Sequence, residues 1–404
     1  MKCEILDGIR VLDLTQALAG PHCTQLLGDF GAEIIKIERP GTGDQSRGWG
    51  PPFKNGESTY FMGTNRNKKS LTLDLKQSEA QDVLNRLIDT ADVLIHNVPS
   101  ERGRASLGID AETVTNRNPR IIWTSISGFG LTGPEAEKPG YDVIAQAMSG
   151  TMALTGEAQA PPMRFPTPMA DISTGMYATI AILAALYERE HSGHGQVLDL
   201  ALLDCQSTWL SNVASAYLET GTAPAKRGNA HPNIAPYQPF RAADGWFILA
   251  AGTETHWQRL VRIMQEHYGD AAEVLAGSEK LFESNADRVA NREELERRLT
   301  EYFRRENVSV WIERFEGAGI PCGPILRPEE TLEHPQLKAR GMIETMEHSV
   351  AGMVRSMGNP MQFSRTPPKV EHAAPALGEQ TDEILAAAGY SEEQIRALKD
   401  ASIV

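Results

Sequence analysis

Ile9-Arg10-Val11-Leu12-Asp13-Leu14 runs into Thr15-Gln16-Ala17-Leu18-Ala19-Gly20-Pro21, and then into Glu33-Ile34-Ile35-Lys36-Ile37-Glu38. The two short runs rich in Ile, Val and Leu read as strands. The segment between them reads as a turn and a helix entered at Pro21, because proline suits the first helical turn, where its missing N–H costs nothing. The pattern recurs. Ser70 to Leu75 reads as a strand leading to a helix with a capping box, Ser78 with Gln81 three residues on. Asp92 to His96 and Ile121 to Ser125 read as further strands. Strands alternating with helices predict an α/β chain with an open parallel sheet.

Further along, Asp171 stands between a proline-rich stretch, Pro161 to Pro168, and an apolar helical run, Ile172 to Leu186. A second long helix is expected over Leu203 to Glu219, followed by a loop rich in Pro, Gly and Asn, Gly221 to Pro239, taken as a domain boundary. Gly245 to Ala250 reads as a buried strand, with helices over Glu254 to Glu266 and Arg292 to Glu316. The tail from Gly378 reads as two short helices, the second with a capping box at Ser391 and Gln394. These segments predict a large domain over 1–220, completed by 326–404, and a small α+β domain over 225–325.

Hydrophobic residues make up 41% and charged residues 23% of 404, the composition of a globular protein of two or three domains. The net charge of −14 argues against nucleic acid as a partner, for which a basic face is the signature. It does not argue against a small anion, since local arginines override a global balance. Cys3, Cys23, Cys205 and Cys322 show no metal-ligand spacing and read as free thiols of a reducing compartment. The acidic start gives no signal peptide, and no uncharged apolar run reaches the length of a membrane span. The expectation is a cytoplasmic protein, or one of a matrix after processing, without a membrane partner or a metal.

Gly41-Thr42-Gly43 follows the second strand without the third glycine of a dinucleotide fingerprint, and no Walker loop, zinc-binding helix or nucleophile-elbow serine is present. In an open sheet, ligands bind at the carboxyl ends of the strands. The small residues of Thr15 to Pro21 let backbone approach a ligand there, although an ordinary tight turn has the same composition. Arg39, the run Asn65-Arg66-Asn67-Lys68-Lys69 and Lys76, with Asn97 at a strand end, suit a polyphosphate. Asp171 itself has two readings. One is a helix N-cap, the commoner use of an Asp ahead of an apolar helix. The other is a nucleophile that forms acyl intermediates.

Together these stretches resemble the family III CoA-transferases of the crotonobetaine/formyl-CoA transferase type (CaiB/BaiF). The matching segments are Leu6 to Asp13, Ala19-Gly20-Pro21, Gly31 to Glu38, Pro139-Gly140-Tyr141-Asp142, Ala170-Asp171 and Gly319 to Pro324, in the family's order. The resemblance implies a Rossmann-like large domain, a small domain and an interlocked homodimer. It implies that Asp171 is the catalytic aspartate, with Gln16, Tyr141 and Asp142 beside the substrate. It implies that Ala17, Ala19, Arg39, Leu73, Lys76 and Asn97 contact CoA. The family's arginine ahead of a Leu-Gly pair has no direct match; Ser106 precedes Leu107-Gly108, with Arg102 and Arg104 upstream.

The implied reaction moves CoA from an acyl thioester to a small carboxylic acid through an aspartyl anhydride and an aspartyl-CoA thioester. CoA is a substrate in it, and no resident cofactor is required. An ordinary Asp pKa of about 3.9 keeps the nucleophile ionised. The loop Arg227-Gly228-Asn229-Ala230-His231-Pro232 is a candidate cover supplying backbone donors to the oxyanion, or a plain linker. Arg47, Arg164 and Arg227 are candidates for meeting a second carboxylate on the acid. Two alternatives stand beside the transferase. An acyl-CoA racemase of the same fold needs a second base, where Tyr141 is a poor one with a pKa of about 10. A non-catalytic CoA-binding protein has no use for Asp171.

Overall fold

The computed structural model describes residues 5–276 and 280–404, so Cys3 lies outside the described residues. It forms two compact units. The first comprises Met1–Met152, Arg164–Gly221 and Pro335–Val404, the second Ala153–Met163 and Thr222–His334.

The first unit is built on a parallel sheet of β1 (Arg10–Leu14), β2 (Glu33–Glu38), β3 (Lys68–Thr72), β4 (Val93–His96), β5 (Ile122–Ser127) and β6 (Val197–Ala201). Their order across the sheet is β3-β2-β1-β4-β5-β6. Leu12 at its centre sits opposite Ile35 on one side and Leu94 on the other. Helices cover both faces, so the central strands are apolar almost throughout rather than alternating. Leu12, Ile35 and Leu94 pack with Val83, Leu84 and Leu87 of α3 (Ser78–Thr90). Val11, Ile34 and Val93 pack with Cys23 and Leu27 of α1 (Ala19–Asp29) and with Ala178 and Ile182 of α7 (Met169–Ser192). Between these lie α2 (Thr59–Thr64), α4 (Glu101–Ser106), α5 (Ala111–Arg117) and α6 (Asp142–Met148). By length and composition α7 is apolar enough to cross a membrane, but half of it is buried in the unit. It lies so close to α1 that a Cβ on Gly175 would come within 2.6 Å of the Ala19 carbonyl oxygen.

Several expectations move. The third strand starts at Lys68 rather than Ser70 and ends at Thr72, so Lys68 and Lys69 belong to the strand's beginning, not to its carboxyl end. The capping box at Ser78 does not form; Gln77 is the N-cap and the Ser78 hydroxyl bonds Glu79. The helix over Leu203 to Glu219 is three pieces, broken where Ser211 takes a φ of 42°. The edge strand β6 was not expected: it is short, and its exposed side alternates with a half-buried one. The tail helices are Thr381–Ala387 and Glu392–Asp400, and the Ser391–Gln394 capping box is formed.

The second unit holds an antiparallel sheet of β7 (Tyr237–Arg241), β8 (Trp246–Ala250) and β9 (Cys322–Pro324), in the order β9-β8-β7. Against it pack α8 (Glu254–His267), α9 (Arg292–Phe303) and α10 (Val308–Gly317) through an aromatic core of Phe240, Phe247, Phe303, Trp311 and Phe315. The expected helix over Arg292 to Glu316 is thus two, α9 and α10.

Candidate active site

The chain runs from β1 through β2 to β3 on one side of the sheet and then through β4 to β5 on the other. The order therefore reverses between β1 and β4, the crevice where open sheets bind ligands. Gln16 follows β1 and Asn97 follows β4, and the two are locked together. The Asn97 side chain accepts from the Gln16 N–H (3.1 Å) and donates to the Gln16 carbonyl (2.9 Å). This leaves the Gln16 side chain exposed at the crevice. Ala17 takes a φ of 69°, a left-handed conformation that costs a non-glycine residue about 1 kcal/mol. Its N–H donates to Asp44 Oδ1 at 3.1 Å, which holds it there. Ala19 is buried at the start of α1.

Beneath this loop lies a buried array of paired charges. Lys68 Nζ sits 3.0 Å from Asp13, and Lys36 Nζ sits 2.9 Å from Asp44 and donates to the Thr15 carbonyl at 2.8 Å. Glu38 takes both a 2.7 Å Nε and a 2.7 Å Nη2 bond from Arg47. Burial opposes charge on Asp13, yet Lys68 and Lys36 hold its carboxyl well below the usual range. Burial lowers Lys68 to about 8 against the attraction of Asp13.

The array corrects two expectations. The basic run at Asn65 to Lys69 is no phosphate cradle: Lys68 is spent on Asp13, Arg66 on Asp29 at 2.6 Å, and Lys69 on Glu33 and Glu383. Arg47 is likewise committed to Glu38, with its guanidinium 3.7 Å over the Phe61 ring. Arg39 and Lys76 remain exposed at strand ends, with no side-chain partner among the described residues. Leu73 is buried, its N–H bound to the Glu38 carbonyl at 2.8 Å. Arg104 is buried and donates to the carbonyls of Val98 and Pro99, so it braces the loop after Asn97 rather than facing a ligand.

Asp171 is not the N-cap of its helix. That position belongs to Pro168, and Asp171 is the third residue of α7. The first-turn donors go instead to Asp142, whose Oδ1 accepts from the N–H of Ala170 (2.8 Å) and of Asp171 (3.4 Å). The other oxygen of Asp142 accepts from Gln146 Nε2 at 2.7 Å, and Gln146 Oε1 accepts from the Phe165 N–H at 2.9 Å. Gln146 is fully buried, and nothing in the sequence singles it out. It ties the segment before α7 to α6.

The Asp171 carboxylate is thus half-buried, released from capping, and without a hydrogen bond or ion pair among the described residues. Burial first, and the charge of Asp142 second, raise its pKa to about 7. The expectation of an ordinary aspartate pKa is wrong for that reason. Tyr60 on α2 faces the same charges. Burial and then Asp171, Asp142 and Asp44 push its hydroxyl up to about 12, so it stays a donor. Its ring meets Trp49 edge-on at 4.9 Å. Neither residue was marked by the sequence analysis, and a Trp and a Tyr in a loop-and-short-helix segment carry no pattern that marks them.

Tyr141, at the N-cap of α6, is 62% exposed. Arg164 is exposed. Gly228 and Asn229 belong to the second unit. There the N–H groups of Gly228, Ala230 and His231 are bound to Gly156, Arg227 and Tyr237 carbonyls, so they are not the free oxyanion donors expected. Cys23, Cys205 and Cys322 are free, and burial raises the pKa of each.

Residues 6–381 match the family described as CoA-transferase family III. A succinate–glutarate CoA-transferase of Agrobacterium fabrum is 41% identical over 387 residues, covering 94% of this chain and 95% of that protein. Human succinyl-CoA:glutarate CoA-transferase is 38% identical over 402 residues, covering 99% and 90% respectively. Among solved structures, a CaiB/BaiF family protein from Brucella suis superposes with a TM-score of 0.85 at 39% identity, over 95% of this chain and 99% of that one. The chain belongs to CoA-transferase family III.

Proposed function

We propose that this CoA-transferase works through covalent intermediates on Asp171 and that its acids are small dicarboxylates. The observation that carries the mechanism is the Asp171 carboxylate itself: half-buried, unpaired, and raised to about 7 beside Asp142. A group with that basicity is a stronger nucleophile than an ordinary aspartate and is still substantially ionised at neutral pH.

A carboxylate oxygen of Asp171 attacks the thioester carbonyl, the C–S bond breaks, and an aspartyl–acyl anhydride and CoA thiolate result. The thiolate attacks the aspartyl carbonyl, releasing the first acid as its carboxylate and leaving an aspartyl-CoA thioester. The acceptor carboxylate then attacks that thioester, giving a second anhydride and CoA thiolate again. The thiolate attacks the acceptor's acyl carbon, and Asp171 leaves as a carboxylate. Charge balances at every step, and no redox equivalent is needed. Tyr60, protonated and facing Asp171, supplies a hydrogen-bond donor. An anhydride must be kept from water.

The first unit is the proposed CoA-binding domain. Ala17, Ala19 and Asn97 line the crevice, and Arg39 and Lys76 are the proposed contacts to the nucleotide's phosphates. Leu73 stands beside them, and Arg104 acts through the loop it braces. The dicarboxylate preference draws on the acids named in the relatives, succinate and glutarate. A homodimer is supported by apolar side chains left exposed on α6 and α7, among them Val143, Met148, Met176 and Ile180. The cytoplasm is the proposed location. Neither tyrosine offers racemisation a second base: Tyr141 is largely exposed, and Tyr60 holds its proton.

The test is a donor without an acceptor. Enzyme mixed with succinyl-CoA alone accumulates an adduct. Hydroxylamine then converts Asp171 to a hydroxamate, and borohydride reduces its thioester, each changing the mass of one peptide. Label on another peptide, or none while transfer proceeds, would sink the covalent mechanism.

A further inference from the structure

α1 and α7 run in the same direction and advance together. A Cβ on Gly175 would come within 2.6 Å of the Ala19 carbonyl oxygen, and one turn further along both helices Thr179 and Cys23 are hydrogen-bonded. A turn beyond that, Ile182 and Leu27 pack in one core cluster. Carried one turn back from Gly175 and Ala19, the same match brings Asp171 level with the loop Thr15 to Leu18, which precedes α1. Residues i and i+4 share a face of a helix, so Asp171 lies on the face that Gly175 turns to α1.

Tyr60 places the two sides together independently. After burial, its hydroxyl feels the charges of Asp171, Asp142 and Asp44, and Asp44 Oδ1 holds the Ala17 N–H at 3.1 Å. Asp171 and the Ala17 loop therefore border one space. The contact at Gly175 is backbone to backbone, flanked by His22, whose Cδ2 and Cβ are 3.1 and 3.2 Å from the same point. Gly175 does not take a positive φ, so it is space and not conformation that calls for glycine. Non-bonded atoms rest about 3.5 Å apart, so a side chain there would part the two helices by roughly 1 Å.

We propose that Gly175 is a positioning residue: by admitting no side chain between α7 and α1, it sets the gap between the Asp171 carboxylate and the Gln16–Ala17 backbone, into which the thioester carbonyl fits. The gap matters because attack needs the reacting atoms about 3–3.5 Å apart. The role rests on the reading of Asp171 as the nucleophile.

Gly175→Ala is expected to lower kcat about 10- to 100-fold through a displacement of roughly 1 Å, while KM for the donor changes little. Loosened packing would also lower kcat, so the deciding experiment lengthens the nucleophile. Asp171→Glu adds one methylene, overshoots the gap, and is expected to lower kcat by about 100-fold or more. In Gly175→Ala the helix stands back and the longer side chain fits. The double variant is expected to be about 10-fold faster than Asp171→Glu alone. One substitution then slows the enzyme that carries Asp and speeds the enzyme that carries Glu, which a general loss of packing cannot do. All variants are compared per mole of folded protein, measured by thermal unfolding. Should Gly175→Ala fail to fold, the set is remade with His22→Ala, which removes the imidazole and leaves the backbone contact. An unchanged kcat in Gly175→Ala, or losses that simply multiply in the double variant, overturn the spacing role while the wild-type adduct with succinyl-CoA still forms. Absence of that adduct in the wild type removes the nucleophile, and the spacing role with it.

Discussion

The carboxyl edge of the sheet and the start of α7 handle buried charge in opposite ways. At the sheet edge, Asp13 faces Lys68, Asp44 faces Lys36, and Glu38 faces Arg47. At α7, Asp171 faces another carboxylate, Asp142, and no cation pairs with it among the described residues. Opposite charges in contact are settled, and their work is to fix backbone: the Thr15 carbonyl by Lys36, the Ala17 N–H by Asp44. An unpaired carboxylate is not settled: burial first, and the like charge of Asp142 second, keep Asp171 near its titration point, ready to bond or exchange a proton.

The sharpest break in this comparison is removal of the unsettled charge. Asp171→Asn is expected to lower kcat by at least about 10³-fold, because an amide cannot form the proposed anhydride. It is also expected not to destabilise the fold at neutral pH. The sign follows from the raised pKa. Between the unfolded value of 3.8 and the folded value of about 7, the native state binds more protons, so stability falls as pH rises through that window. Asparagine removes this loss. Allowing for solvent screening of a half-buried group, the gain at pH 8 is about 1–2 kcal/mol in denaturant unfolding. A variant less stable than wild type at pH 8 would mean that Asp171 is a structural group after all.

The array should respond the other way. Lys68→Met leaves Asp13 buried with a distant cation, and loss of one partner of a buried pair costs about 3–5 kcal/mol. Stability falls at neutral pH, while the adduct on Asp171 still forms in the fraction that folds. The wild-type pair stabilises above the unfolded pKa of Asp13, and that stability is lost as pH falls through its depressed native value. An unchanged melting temperature in Lys68→Met would show that the pair holds nothing.

The same contrast explains what the sequence disclosed. The sheet was legible because Ile, Val and Leu runs between turn residues report burial directly; β2 was bounded correctly from Glu33 to Glu38. Asp171 was singled out by its setting, but the N-cap, one of its two readings there, falls elsewhere: Pro168 holds that position, and the acceptor for the first turn is Asp142, 28 residues away along the chain. Lys68 and Arg47 looked like free cations because an ion pair such as Lys68–Asp13, 55 residues apart, leaves no local trace. Nor does Gln146, whose bonds to Asp142 and Phe165 exist only once the segment before α7 has folded back on α6.

The finest test separates the two things Asp142 does, capping and repelling. Asp142→Asn removes the charge that is the second cause of the raised Asp171 pKa, while burial, the first cause, remains. The acid limb of kcat/KM should therefore move down from near 7 by about one unit, not to the ordinary aspartate value. The substitution alone also breaks a match, since an asparagine that keeps Oδ1 on the Ala170 N–H points its NH₂ at the Gln146 donor. Part of any loss in kcat would then be misplacement. Adding Gln146→Glu restores an acceptor for that NH₂ and for the Phe165 N–H, and moves the negative charge one side chain further from Asp171. The double variant should recover kcat relative to Asp142→Asn, with an acid limb between those of the single variant and the wild type. An acid limb that stays near 7 in both would mean that burial alone sets the Asp171 pKa, and that Asp142 serves only to close the helix.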